Sequence, residues 1–244
     1  YVKSEPDPGF RTAVRIISEE DPMDRIWLKS YPAGVPAEID PKKLRSLIEL
    51  FDSSIAKYRD RPAFHSMGKG ISFDQLDKRS RDFGAWLQAR GLGKGARVAI
   101  MMPNCLQYPI AMFGVLRAGC TVVNVNPLYT PRQLEHQLKD SGAEAIVVLE
   151  NFGHVLQEVR GRTPLKHVVV TSLGEMLGVK GVIVNLVVRK VKKMVPPYEL
   201  PGAISFKQAL ADGASKKLVT PALTHDDIAF LQYTGGTTGV SKGA

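Results

Sequence analysis

RVAIMMPNCLQYPIAMFGVLRAGCTVVNVNPLYTPRQLEHQLKDSGAEAIVVLENFGHVLQEVRGRTPLKHVVVT, residues 97–171, alternates two textures. Short apolar runs rich in β-branched residues recur at Arg97–Met102, Thr121–Val125, Ala145–Leu149 and His167–Thr171. Between them lie segments of helical character. Leu106–Leu116 stops at Gly119, Pro131–Lys139 ends at Ser141-Gly142, and Val155–Val159 is shorter. Continuous rather than alternating apolar runs describe strands buried on both faces, and strands separated by helices describe parallel pairing. The expected fold class is therefore α/β, a mostly parallel sheet flanked by helices on both sides.

Toward the N-terminus, Leu44, Leu47, Ile48, Phe51, Ile55 and Tyr58 recur at three- and four-residue spacings and predict a helix from Pro41. Ala63–Met67, Gly68-Lys69-Gly70 and Ile71–Phe73 read as strand, glycine turn and strand. Asp74 is the expected cap of a helix that places Leu76, Phe83, Trp86 and Leu87 on one side and ends at Gly91. Residues 1–22, rich in proline and acids, show no sustained period and read as an extension ahead of the fold. The first residue is Tyr1, so the expected translation start lies upstream or has been removed. Residues 23–244 carry the fold. Toward the C-terminus, Ile204–Leu210 is a short element and Ile228–Tyr233 reads as a buried strand.

A chain of 244 residues accommodates one large domain or two small ones, and 44% hydrophobic with 23% charged residues excludes disorder along its whole length. The net charge of +9 suits an anionic partner: a nucleotide, an anionic lipid surface or nucleic acid. Cys105 and Cys120 sit in apolar segments without metal-ligand spacing, and the five histidines are scattered, which predicts a reduced, cytoplasmic protein without a Cys/His metal cage. No apolar run approaches the ~20 residues of a membrane-spanning helix, and no signal peptide is visible.

The chemistry concentrates at Thr234-Gly235-Gly236-Thr237-Thr238-Gly239-Val240-Ser241-Lys242-Gly243, directly after the last strand. Glycines let backbone approach a ligand closely. Successive N–H groups in such a loop form an anion-binding concavity, three threonine hydroxyls add donors, and Lys242 adds a point charge suited to phosphate. The Walker A pattern is not met, because Val-Ser-Lys follows Gly239. A solvent-exposed hairpin turn is the plainer alternative for such a glycine- and threonine-rich stretch.

Tyr233–Gly243 (YTGGTTGVSKG) resembles the signature loop of the adenylate-forming enzymes, which include acyl-CoA synthetases, luciferases and peptide-synthetase adenylation domains. That family usually has Ser or Thr where Gly235 stands and Pro where Ser241 stands. The glycine variant is common in its bacterial long-chain fatty-acyl-CoA synthetases, which Met102-Pro103-Asn104, Leu116-Arg117-Ala118-Gly119 and Asn124–Thr130 also resemble. The resemblance runs from about Trp27 to Ala244. It implies that a fatty carboxylate attacks the α-phosphate of ATP, giving an acyl-adenylate and pyrophosphate, and that coenzyme A then displaces AMP. By position, Thr234, Gly235, Gly236, Thr237, Thr238, Gly239 and Lys242 bind the β- and γ-phosphates, Mg²⁺ neutralises them, and Thr234 helps to hold the metal. The family's remaining site elements come after this loop, so this stretch by itself is expected to be a truncated, inactive part of the large adenylation domain. A fatty-acyl-AMP ligase is an alternative within the enzymes.

Gly181–Val195 stands apart. It carries Arg189, Lys190, Lys192 and Lys193 without an acid, and Pro196-Pro197 stops it. Wound as a helix, it is expected to put Val184, Val187, Val188, Val191, Met194 and Val195 on one side and Asn185, Arg189, Lys192 and Lys193 on the other. One reading packs the apolar stripe on the sheet. The other lays the helix on an anionic membrane surface, peripheral on its inner face, and in its extreme form makes the chain a non-catalytic membrane module. No aromatic residues interleave the basic ones, so nucleic acid is not an expected partner.

Overall fold

A computed structural model describes residues 25–40, 42–234 and 242–244, and two compact units divide between Lys43 and Leu44. In the first unit, Ile26–Ser30 forms a 3₁₀ turn with no buried residue, and Arg25 pairs with Glu38.

The second unit opens with α1 (Leu47–Tyr58), which begins later than its periodicity predicts. Ser46 sets the start: its side chain accepts from the Glu49 N–H at 3.2 Å, leaving Leu44 outside the helix. Ile48, Phe51 and Ile55 are buried, as a helical stripe requires. Strands β1 (Pro62–Ser66) and β2 (Lys69–Ser72) form an antiparallel hairpin. Its turn is Met67-Gly68 rather than the expected Gly68–Gly70, with φ +51° and +77° at the two central residues. Two positive φ values in a two-residue loop match the twist of the flanking strands. Helix α2 (Phe73–Ala89) is capped by Ser72, not by the expected Asp74. Ser72 and Gln75 form a reciprocal capping box, and Asp74 falls in the first turn.

The segments read as strand and helix over residues 97–171 fold that way. They give β3 (Arg97–Met101), α3 (Gln107–Arg117), β4 (Thr121–Asn124), α4 (Pro131–Ser141), β5 (Ala145–Leu149), α5 (Gly153–Arg160) and β6 (His167–Thr171). After them come α6 (Val179–Leu186), a π-helical turn over Val187–Val191, β7 (Ile204–Ser205), α7 (Phe206–Ala214), β8 (Phe230–Thr234) and β9 (Lys242–Gly243). The seven-stranded sheet runs β7-β6-β5-β3-β4-β8-β9, with every neighbour parallel except the β8–β9 pair. The expected mostly parallel sheet is thus the observed one. β8 departs from its reading as a buried strand: among its residues only Tyr233 is buried, and Ile228 ahead of it is exposed.

The side-chain period of two divides the core between the faces. Val98, Ile100, Val122 and Val147 pack with α1, α2, α3 and α7, while Ala99, Met101, Val123 and Ile146 pack with α4 and α5. Helices α2 and α7 approach so closely that a Cβ on Gly213 would stand 1.8 Å from the Asp82 carbonyl oxygen. Only glycine permits that crossing.

Helix α6 keeps only part of its expected apolar side inward. Gly181 and Val188 are buried, and Val184 packs against the core. Val187, Val191 and Met194, expected on the same apolar side, are exposed together with Val182, Ile183 and Leu186. Two contacts select this orientation. A Cβ on Gly181 would lie 1.8 Å from the Gly174 carbonyl oxygen, so this point of the helix sits directly on the preceding loop. Asn185, expected on the polar side, faces inward, accepting from the Gly174 N–H at 2.8 Å and donating to Ser172 Oγ at 2.9 Å.

Candidate phosphate-binding site at the β8–β9 stem

Strand β8 delivers the chain to the carboxyl edge of the sheet, and β9 brings it back antiparallel. Thr234 and Lys242 are register partners in that hairpin, both exposed. Gln232 and Ala244 close its base by exchanging backbone hydrogen bonds of 2.9 and 3.0 Å. The two ends of the sequence-predicted phosphate loop are therefore brought together. Gly235, Gly236, Thr237, Thr238 and Gly239 lie outside the described residues.

The approach to this stem is fixed from both faces of the sheet. The Thr121 hydroxyl donates to the Ile228 carbonyl at 2.8 Å, and the Val122 N–H donates to the Ala229 carbonyl at 2.9 Å. On the α4 side the Tyr233 hydroxyl donates to Asp140 Oδ2 at 2.6 Å. Burial, then that hydrogen bond, push the Tyr233 phenol above its ordinary pKa, so it stays a neutral donor. On the α3 side the Tyr108 hydroxyl donates to Asn124, which donates to Gln232. Neither Tyr108 nor Asn124 is among the site residues that the sequence predicts. The available signal was a strand of valines ending in an amide, Thr121-Val122-Val123-Asn124.

Beside the stem, a cavity of about 440 Å³ is lined by Asn104, Tyr108, Asn124, Asn126, Tyr129 and Gln232 among others. It lies beside the carboxyl ends of β3, β4 and β8, the edge at which open α/β sheets bind ligands. Its described lining carries amide and phenol groups and no Lys or Arg. A second cavity of about 430 Å³ opens where β5 and β6 end, with Glu150, Glu175, Arg189, Tyr198 and Lys207 on its walls. There Arg189 grips the buried Glu150 carboxylate through Nε and Nη2, at 3.0 and 2.6 Å. That bidentate pair ties the end of the α6 segment to the sheet. Among the described residues, no group of three or more His, Cys, Asp or Glu could hold a metal ion. No helix among them is long and apolar enough to cross a membrane.

A strand–loop–strand stem of this kind stands at the carboxyl edge of a parallel α/β sheet, the edge at which open α/β folds bind their ligands. The chain belongs to the AMP-binding enzyme family, whose model matches residues 51–244. It is 58% identical to the long-chain-fatty-acid–CoA ligase of Yersinia pestis and 56% identical to that of Escherichia coli O6:H1. Each match extends over 224 residues, 91% of this chain and 40% of the relative. The chain thus spans about 40% of the length of these curated relatives. Among solved structures, a long-chain-fatty-acid-CoA ligase from Archaeoglobus fulgidus is 25% identical with a TM-score of 0.64, covering 87% of this chain and 38% of that one. An anthranilate CoA ligase in complex with anthranoyl-AMP shares the fold at 21% identity and a TM-score of 0.65, covering 80% of this chain and 33% of that one.

Proposed function

We propose that residues 23–244 form the N-terminal part of the large adenylation domain of an ATP-dependent long-chain fatty acid–CoA ligase, and that Thr234–Lys242 is its clamp on the β- and γ-phosphates. The observation that carries this reading is the facing pair of Thr234 and Lys242 on a bolted stem, in a chain of the AMP-binding family. In the first step an oxygen of the fatty carboxylate attacks the α-phosphorus of ATP, and the bond to pyrophosphate breaks. In the second the thiol of coenzyme A attacks the acyl carbonyl, its proton passes to solvent, and AMP leaves with the carboxylate oxygen. In the first step the carboxylate is already ionised, so the protein's task there is to hold charge rather than to move a proton. Lys242 places its ammonium against the departing pyrophosphate, the backbone of Gly235, Gly236 and Gly239 permits close approach, and the hydroxyls of Thr234, Thr237 and Thr238 donate hydrogen bonds.

Mg²⁺ takes few protein ligands and is usually carried on substrate phosphates, so one exposed hydroxyl at Thr234 suits it. When bound, it would neutralise phosphate charge. In the protein continued to the length of its relatives, Lys242→Ala is expected to lower oleate-dependent ATP–pyrophosphate exchange on the order of a hundredfold, as loss of one transition-state charge contact does. Unchanged exchange would remove Lys242 from the site. Release of an oleoyl thioester on adding coenzyme A separates the ligase from a fatty-acyl-AMP ligase.

A second reading concerns where the enzyme works. The outward face of the α6 segment is apolar, with Val182 71%, Ile183 63%, Leu186 58% and Val191 69% exposed. Lys180, Lys190, Lys192 and Lys193 stand along the same segment. That composition supports reversible contact with an anionic bilayer, on the cytoplasmic side where the lipid-borne fatty acid is presented.

A further inference from the structure

Strand β8 is thinly held for an element that carries a binding loop. Its pairing with β4 covers three positions, Val122–Phe230, Val123–Leu231 and Asn124–Gln232, and the last stands two residues before Thr234. Side chains take over where that ladder ends. The Tyr108 hydroxyl donates to Asn124 Oδ1 at 2.9 Å, and Asn124 Nδ2 donates to Gln232 Oε1 at 3.0 Å. The fully buried Gln137 donates to the Asn124 backbone carbonyl at 2.7 Å. Asparagine is depleted in strands, and here it follows two fully buried valines. Its side chain uses donor and acceptor at once, one toward a helix and one toward the loop stem.

We infer that Asn124 is a positioning residue for the phosphate loop. It acts through Gln232, fixing the direction in which Thr234 leaves the sheet and Lys242 returns to it. The inference rests on the reading of residues 234–243 as the phosphate site. Convergent donors bind a polyphosphate only while their relative placement holds, so a stem free to pivot loses affinity without unfolding.

The experiment is calorimetric titration of the protein, continued to the length of its relatives, with inorganic pyrophosphate, below each variant's unfolding midpoint. Asn124→Leu keeps the volume and removes both side-chain bonds. It is expected to weaken affinity roughly tenfold, the scale of one or two lost hydrogen bonds. Tyr108→Phe and Gln232→Leu are expected to weaken it singly. Together they are expected to lose less than the product of their single effects, because both work through Asn124. Tyr108→Phe, which removes a single hydroxyl, keeps the test open if Asn124→Leu does not fold. Thermal unfolding is recorded alongside. A residue that only stabilises the sheet lowers the midpoint and leaves the affinity of the folded protein alone, and that outcome overturns the inference, as does a fully multiplicative cycle. Lys242→Ala is the control. If it loses binding while Asn124→Leu and Tyr108→Phe do not, the positioning role alone fails. If it binds as the wild type does, or the wild type does not bind, the phosphate-site reading fails and the inference falls with it.

Discussion

Arg117 carries its guanidinium into the core between α2 and α3, where it bonds Asp77 at 2.6 Å, Asp52 at 2.7 Å and the Ser80 hydroxyl at 3.1 Å. Burial lowers the arginine's pKa, and the two carboxylates work against that. Removing one partner leaves a buried charge under-compensated. Asp77→Ala is therefore expected to cost about 3 kcal/mol in urea denaturation, and a change below about 1 would contradict that account. None of this was legible in the sequence, since the partners lie 40 and 65 positions away. Cys120 could be placed from sequence, in the turn between a buried helix and the strand that follows it. Burial pushes its thiol up to about 12 from the usual 9, so the folded state favours the neutral form. The sign follows directly: this stability is fully present below pH 9 and is lost as pH rises toward 12. Iodoacetamide at pH 9 is expected to spare Cys120 in the native protein and to modify it in urea, and comparable rates would show that the site opens readily.

Among the elements, those with one strong local signal were readable and those chosen by tertiary contacts were not. Four β-branched runs gave four buried parallel strands, because no other arrangement hides continuous apolar backbone. Helix α6 defeated its own periodicity. A hydropathy wheel turns the large apolar residues inward, whereas Gly181 against Gly174 and Asn185 against Ser172 fix a rotated orientation that keeps Val184 and Val188 inward and leaves Val187, Val191 and Met194 exposed. The π-helical turn at Val187–Val191 shifts the helical phase further. The outward stripe makes the membrane contact testable at this scale. Ile183→Asp with Leu186→Asp is expected to abolish co-sedimentation with anionic vesicles at low salt, and Lys190, Lys192 and Lys193 changed to Gln should weaken it. At about 1 kcal/mol per basic residue the contact is weak and reversible. A wild type that stays in the supernatant at low salt would leave this face to a protein partner.

For the whole molecule, the fold class followed from sequence, because alternating strands and helices constrain topology. The Tyr108–Asn124–Gln232 bridge was hidden, since it joins α3, β4 and β8 across 16 and 108 positions. The central claim is that this fold holds ATP while a fatty carboxylate attacks the α-phosphorus. Isotope transfer tests it most directly. The protein, continued to the length of its relatives, is supplied with oleate labelled with ¹⁸O in its carboxylate, ATP, Mg²⁺ and coenzyme A. The expected result is one labelled oxygen in the AMP released per turnover and none in pyrophosphate. Label in inorganic phosphate with formation of ADP, or thioester formation without label in AMP, would contradict it.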